Sequence, residues 1–301
     1  MIRWLHWWYA ASVLAHCLCG SVALEIRHSG RAAEALNWEG IFGVDANGSP
    51  VTKEDAICRI RNSLALKHVQ SITQPELDLL SALSRKGLMG SSCALVSNSG
   101  MLSKFELGSK IDSADLVMRF NEAPLHGYET HVGARDDIRF VNMHWGPNVL
   151  MNNTFPSKDV IYINVLAAGF DVYWRRLGER RPDLQVFQVQ LWQLDTLTET
   201  LRDIYGVQAF KGHISLPTSG AVGMALALSM CGHLEAYGMA RAWTEDEEST
   251  PYHYYEPGGS ARGNDHHQTF YAEKGLWRFM ADDTTLVDNS STAVITSPTQ
   301  C

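Results

Sequence analysis

Short apolar runs of strand length alternate with helix-length amphipathic segments from about residue 76 onward, and this alternation limits the possible folds more than any other feature. The runs fall at 92–97, 116–120, 138–141, 160–165, 186–191 and 234–237. The segments at 76–83, 102–111, 172–180, 197–205, 221–231 and 272–280 read as helices. Over 102–111 the apolar face is Leu102, Phe105, Leu107 and Ile111. Strands alternating with helices predict an α/β fold, a mostly parallel central sheet covered on both faces. Ligands of such sheets bind at the carboxyl ends of the strands.

Two polar loops belong to that edge. In "CALVSNSG" a buried strand opens into Ser97-Asn98-Ser99-Gly100, and Cys93 stands at its start. In "LPTSGAVGMALALSMCG" the loop Pro217-Thr218-Ser219-Gly220 leads into a helix of small residues that ends at Cys231. Backbone N–H groups at a helix start favour an anion such as phosphate. A plain N-cap has the same composition, and so do many strand ends. The G-x-G-x-x-G fingerprint and the P-loop are both missing, which counts against a dehydrogenase or P-loop enzyme. A D-x-D pair, by which many glycosyltransferases hold a metal with their nucleotide sugar, is missing too.

Histidines gather late in the chain. "PYHYYE" sets His253 among tyrosines ahead of Glu256, and "NDHHQTFYAEKGLW" sets His266 and His267 ahead of a helix containing Glu273. Their spacing does not match the common zinc patterns. Structural and catalytic roles both remain open for them at this point.

The N-terminus is different in kind. Trp4 to Leu24 holds no Asp, Glu, Lys or Arg, a length that suits a membrane span of ~20 apolar residues. A cleaved signal is the alternative, since Ser21-Val22-Ala23 offers small residues for cleavage. An uncleaved anchor fits the long apolar part better. This reading divides the chain into a tail and signal-anchor at 1–25, a short stem at 26–55 and a luminal domain at 56–301. Entry to the secretory pathway permits disulfides among Cys58, Cys93, Cys231 and Cys301. It also permits glycosylation of the sequons at Asn47, Asn152 and Asn289. The net charge of -8 argues against a nucleic-acid partner.

Together these segments resemble the eukaryotic sialyltransferase family. "CALVSNSGMLSKFELGSKIDSADLVMRFNEAPLHGYETHVGARDDIRFVN" is similar to its large sialylmotif, and "LPTSGAVGMALALSMCGHLEAYGM" to its small one. "HYYE" resembles motif III, and the segment from His266 to Glu273 resembles the very small motif. "CRIRNSL" from Cys58 and the final Cys301 are similar to the β-galactoside α2,6-sialyltransferases within that family.

The resemblance implies a single Rossmann-like (GT-A-variant) glycosyltransferase domain behind a membrane anchor, a single-pass type II protein of the Golgi membrane. It implies transfer of sialic acid from CMP-sialic acid to galactose-terminated glycans on glycoproteins or oligosaccharides, α2,6 and inverting, with no metal or other cofactor. Donor binding is implied for Asn98, Ser99, Gly100, Asn121, Asn142, Thr218, Ser219, Gly220, His253 and Tyr254. The resemblance implies the disulfides Cys93–Cys231, which ties the large motif to the small one, and Cys58–Cys301. The acceptor hydroxyl needs a general base, for which His267 and His266 are the candidates, with Glu273 supporting the loop. His253, Tyr254 and Tyr255 are candidates to stabilise the leaving phosphate. The chain departs from the family at one place. The very small motif has four residues between His and Glu, whereas five separate His267 from Glu273, and Gln268 holds the family position. A relative that binds CMP-sugar or glycan without transfer is therefore the alternative, as are another keto-sugar acid donor and another linkage.

Overall fold

The computed structural model describes residues 45, 48–142, 157–165, 171–205, 217–240, 250–256 and 270–301. Internal contacts divide the chain into Met1–Leu36 and Asn37–Cys301, and the account below concerns the second unit. The anchor, most of the stem, His266 and His267, and the sequons at Asn47 and Asn152 lie outside the described residues. Among the described residues no helix is long and apolar enough to cross a membrane.

Among the described residues the first helix, α1 (Lys53–Ser63), starts inside the segment read as stem. Thr52 caps it by accepting from Asp55 N at 3.1 Å, and Glu54 and Asp55 suit the positive end of its dipole. Ala56, Ile57 and Ile60 give it a buried face. After the short edge strand β1 (Gln70–Ser71) comes α2 (Leu79–Arg85). The expected start at 76 is three residues early, because Asp78 accepts from Ser81 N at 2.8 Å and fixes the cap there.

The sheet then builds outward: β2 (Ser92–Val96), β3 (Leu116–Phe120), β4 (Ile138–Val141), β5 (Ile161–Asn164) and β6 (Gln185–Gln188), each parallel to the one before. The helices α3 (Gly108–Asp112), α4 (Glu129–Val132) and α5 (Asp171–Arg180) lie between them, and α6 (Leu191–Tyr205) follows β6. The chain next crosses back through α7 (Ser219–Met230) to β7 (His233–Tyr237), which pairs with the other side of β2. Helices α8 (Phe270–Met280) and α9 (Thr284–Ser290) lead to β8 (Thr292–Thr296), antiparallel on β7. The strand order is β1-β6-β5-β4-β3-β2-β7-β8, with antiparallel strands only at the two edges. The order reverses between β2 and β7, so the crevice outside their carboxyl ends is the place where such a sheet takes a ligand.

One expected helix is broken. Over 102–111 a 3-10 turn (Gly100–Lys104) stops at Phe105, whose backbone is extended, and α3 begins only at Gly108. The backbone of α4 occupies the space beside Gly108, where a Cβ would lie 1.8 Å from the Glu129 carbonyl oxygen. The apolar residues there serve two short turns instead of one helical face.

Helix α7 is apolar on every side and buried, as such a helix must be. It lies directly on the sheet: a Cβ at Gly223 would come within 2.7 Å of the Phe120 ring and 3.2 Å of Phe140. Disulfides join Cys93 to Cys231, with Cα atoms 6.0 Å apart, and Cys58 to Cys301, at 5.1 Å. These are the two pairings that the resemblance implies.

Candidate active site

The exit of β2 is held in shape by its own small side chains. Ser97 N donates to the Tyr237 carbonyl at the end of β7 (3.0 Å), and Ser97 Oγ accepts from Ser99 N (3.1 Å). Ser99 Oγ in turn accepts from Met101 N (3.2 Å). The 251–256 segment lies against this loop as a short strand would. Tyr254 N donates to Asn98 O (3.0 Å), Gly100 N to Tyr252 O (3.3 Å), and Ser99 bridges His253 in antiparallel register. Gly100 is required here, because a Cβ would fall 2.0 Å from the Pro251 carbonyl oxygen. Two motifs about 150 residues apart in sequence thus form one ledge at the switch point.

On this ledge His253 is 24% exposed, stacks on Tyr255 with ring centroids 5.0 Å apart, and places Nδ1 2.9 Å from a Glu256 carboxylate oxygen. The Asn98 Oδ1 is buried without a hydrogen-bond partner. Tyr254 is buried and donates its hydroxyl to Pro124 O at 2.7 Å. Burial pushes that phenol up to about 12, so it stays protonated at neutral pH. With its hydroxyl proton engaged by Pro124 O, Tyr254 anchors the ledge.

Asn121 and Asn142 stand side by side one strand further along. Asn121 adopts a left-handed backbone (φ 49°), which asparagine tolerates better than most residues. Its Oδ1 accepts from Asn142 N at 3.1 Å. The Arg139 guanidinium fixes this bend, donating to Asn121 O (2.6 Å) and Ala123 O (3.2 Å) while pairing with Asp136 at 2.5 Å. Arg119, also buried, donates to the carbonyls of Val132 and Arg135. Burial raises the Asp136 carboxyl, an effect that neighbouring Arg139 opposes. The sequence reading missed both arginines and Asp136. The available signal was a charge at a buried position of each otherwise apolar strand, "LVMRF" and "IRFV". A charge there needs partners within the fold.

Across the crevice Thr218 caps α7, its Oγ accepting from Ala221 N at 3.1 Å. Glu273, in the first turn of α8 and only 5% exposed, accepts from Thr218 N (3.1 Å) and from the Thr218 hydroxyl. The hydroxyl of Thr218 is thereby committed inside the protein. No protein acceptor is present for the N–H groups of Ser219 and Gly220 among the described residues, and both residues are partly exposed. Glu273 thus ties α8 to the loop of the small motif, 55 residues away in sequence, while the loop before α8 that it is expected to support lies outside the described residues. Replacing it with Gln keeps the shape and removes the charge from two hydrogen bonds. Glu273→Gln is expected to lose about 1.5–3 kcal/mol of stability, a fall in Tm of roughly 5 °C. An unchanged thermal unfolding curve would exclude this anchoring role. Asn289 is exposed on α9, at the opposite end of the chain from the motifs of β2 to β4.

Fold and site define an α/β protein with a mostly parallel sheet, in which polar loops and a helix start converge on one sheet edge. Residues 58–285 match the model of "Glycosyltransferase family 29 (sialyltransferase)", and the chain belongs to that family. It is 31% identical over 182 residues to the human alpha-N-acetyl-neuraminyl-2,3-beta-galactosyl-1,3-N-acetyl-galactosaminide alpha-2,6-sialyltransferase, covering 56% of this chain and 60% of the relative. It is 28% identical to the Bos taurus beta-galactoside alpha-2,6-sialyltransferase 2, covering 55% of this chain and 36% of the relative. It is 26% identical to the Mus musculus lactosylceramide alpha-2,3-sialyltransferase, covering 54% of this chain and 44% of the relative. The matched region thus spans less than two thirds of each of these relatives, and their names carry two linkages.

Proposed function

We propose that this protein is an inverting sialyltransferase that moves sialic acid from CMP-sialic acid to a terminal galactoside, in α2,6 linkage, on a GT-A-variant domain. The observation that carries the reading is the convergence of Asn98, Asn121 and Asn142 with the α7 helix start around the β2/β7 switch point. Among the described residues, Asn98 Oδ1, buried and unpartnered, and the N–H groups of Ser219 and Gly220 are left for a ligand. An anionic donor is favoured at that helix start. His253, beside Glu256 and stacked on Tyr255, stands where it can donate to the leaving phosphate as charge develops. His267 takes the proton of the acceptor hydroxyl. Segment 1–25 anchors the chain in the Golgi membrane with the catalytic domain luminal.

The test is incubation of the protein with CMP-sialic acid and a panel of galactosides, with product linkage read by NMR. Transfer to galactose O6 is expected, and a product linked through another hydroxyl overturns the α2,6 assignment. Absence of a D-x-D pair and the use of a helix start for the donor support transfer without metal. Activity is expected to survive EDTA, whereas loss that manganese restores would contradict this. The Gln268 departure favours one second reading, a relative that binds CMP-sugar without transfer. CMP-sialic acid binding with no product in the same assay would establish it.

A further inference from the structure

The row of amides at the carboxyl edge does not stop at Asn142. Strand β5 reads Ile161-Tyr162-Ile163-Asn164, and Asn164 closes it at 0% exposure, with neither its amide oxygen nor its amide nitrogen hydrogen-bonded. Its backbone is satisfied, since its carbonyl accepts from Val189 N at 3.0 Å. The side chain alone is the anomaly. Burying an amide with all of its hydrogen-bonding positions unmet destabilises a fold, and an apolar residue of similar shape would not. Tyr162, on the same face of the strand, shows the contrast: its hydroxyl accepts from Ser157 N at 3.1 Å.

Register places this amide beside the site. Asn164 pairs with Val141 on one side and Gln188 on the other. Asn121 continues the β3/β4 ladder one step past Phe120 and Phe140, donating its N–H to the Phe140 carbonyl at 2.7 Å. Asn121, Val141 and Asn164 therefore form one level across the carboxyl edge. With neighbouring strands ~4.8 Å apart, Asn121 and Asn164 stand about 10 Å from each other. A group the size of one sugar bridges that distance. A primary amide offers two donors and an acceptor, which is what a polyhydroxylated ring requires and more than a nucleobase or a lone phosphate uses.

We infer that Asn164 is a substrate-recognition residue, whose amide hydrogen-bonds hydroxyl groups of a sugar bound at the carboxyl edge of β4 and β5. This rests on the sialyltransferase reading above and adds a residue that lies outside every motif quoted for it. The sugar is either the sialic acid part of the donor or the acceptor galactoside, and kinetics separate them.

The experiment uses Asn164→Leu in the otherwise intact protein. Removing an unsatisfied buried amide should leave Tm equal or higher, while kcat/KM falls about ten- to a hundred-fold, the loss of one or two hydrogen bonds. Inhibition by CMP alone should be unchanged. A rise in KM for CMP-sialic acid assigns the amide to the donor sugar, and a rise for the galactoside assigns it to the acceptor. If Asn164→Leu does not fold, Asn164→Asp keeps the shape, removes the donors and is read in the same assay. A folded variant that matches wild type in turnover and both KM values overturns the inference, the amide then meeting a trapped water only. Wild-type protein that transfers sialic acid as well as the variants leaves the sialyltransferase reading intact, whereas wild-type protein that transfers none removes both.

Discussion

His267→Ala is expected to lower turnover by roughly 10²–10⁴ while leaving CMP affinity nearly unchanged, and His266→Ala is expected to do much less. A sugar hydroxyl is a poor nucleophile at neutral pH, and a positioned base is worth about that factor. An imidazole with an unperturbed pKa of ~6.5 suits the task. Two histidines are adjacent in the sequence, and adjacent side chains tend to point apart, so the proposed reaction assigns the base to one of them. His267 is nearer to the family spacing by one residue, and a loop absorbs one inserted residue more readily than two. The structure supplies a fixed reference for that loop. It enters α8, whose first turn is tied by Glu273 to Thr218 at the helix start proposed for the donor. A base must be neutral to act, so the rate should fall as pH drops below its pKa. Steady-state kinetics of the two variants decide the matter: the reverse ranking makes His266 the base, and no loss in either removes the motif assignment.

Much of the fold was legible because its strands are buried on both faces. "CALV", "LVMRF" and "IRFV" read as continuous apolar runs and lie in the parallel part of the sheet. Boundaries were less legible, since they depend on single side chains such as the Asp78 cap. Strand β1 has two residues and no pattern to detect. The β8 run, "TAVIT", did carry a β-branched signal and was passed over along with α9. The break within 102–111 is a tertiary effect: Gly108 meets the backbone of α4, which begins some twenty residues later.

The site divides in the same way. Resemblance named the polar loops, but local spacing could not show that the 251–256 segment pairs with Ser99 and Gly100. Nor could it show that Glu273 reaches Thr218. Arg119 and Arg139 were hidden because an isolated arginine normally marks a solvated face, whereas here carbonyls of the 121–135 loop receive them. Asn164 was hidden inside an apolar run, and only its unmet amide distinguishes it from a strand residue.

Loss of the Cys93–Cys231 bridge should be the most damaging change to stability. Cys93 sits in β2, the strand between β3 and β7, and Cys231 ends α7 just before β7 pairs with β2. The bridge therefore clamps the far end of the helix whose start carries Thr218, and so aims that start at the carboxyl edge. It spans 138 residues, for which chain entropy alone gives about 4–5 kcal/mol. The Cys58–Cys301 bridge spans 243 residues, and the same model makes it stronger by about 0.5 kcal/mol. The structure predicts the opposite order. Cys93 and Cys231 are buried in the core, whereas Cys301 is exposed at the chain end, so removing the first pair also disturbs packing around β2 and α7. Chemical unfolding of Cys93→Ala/Cys231→Ala and Cys58→Ala/Cys301→Ala should show the larger loss in the former, together with weakened CMP binding that the latter retains. Equal losses, or a larger one at the chain end, would mean that the bridges act only by restricting the unfolded chain.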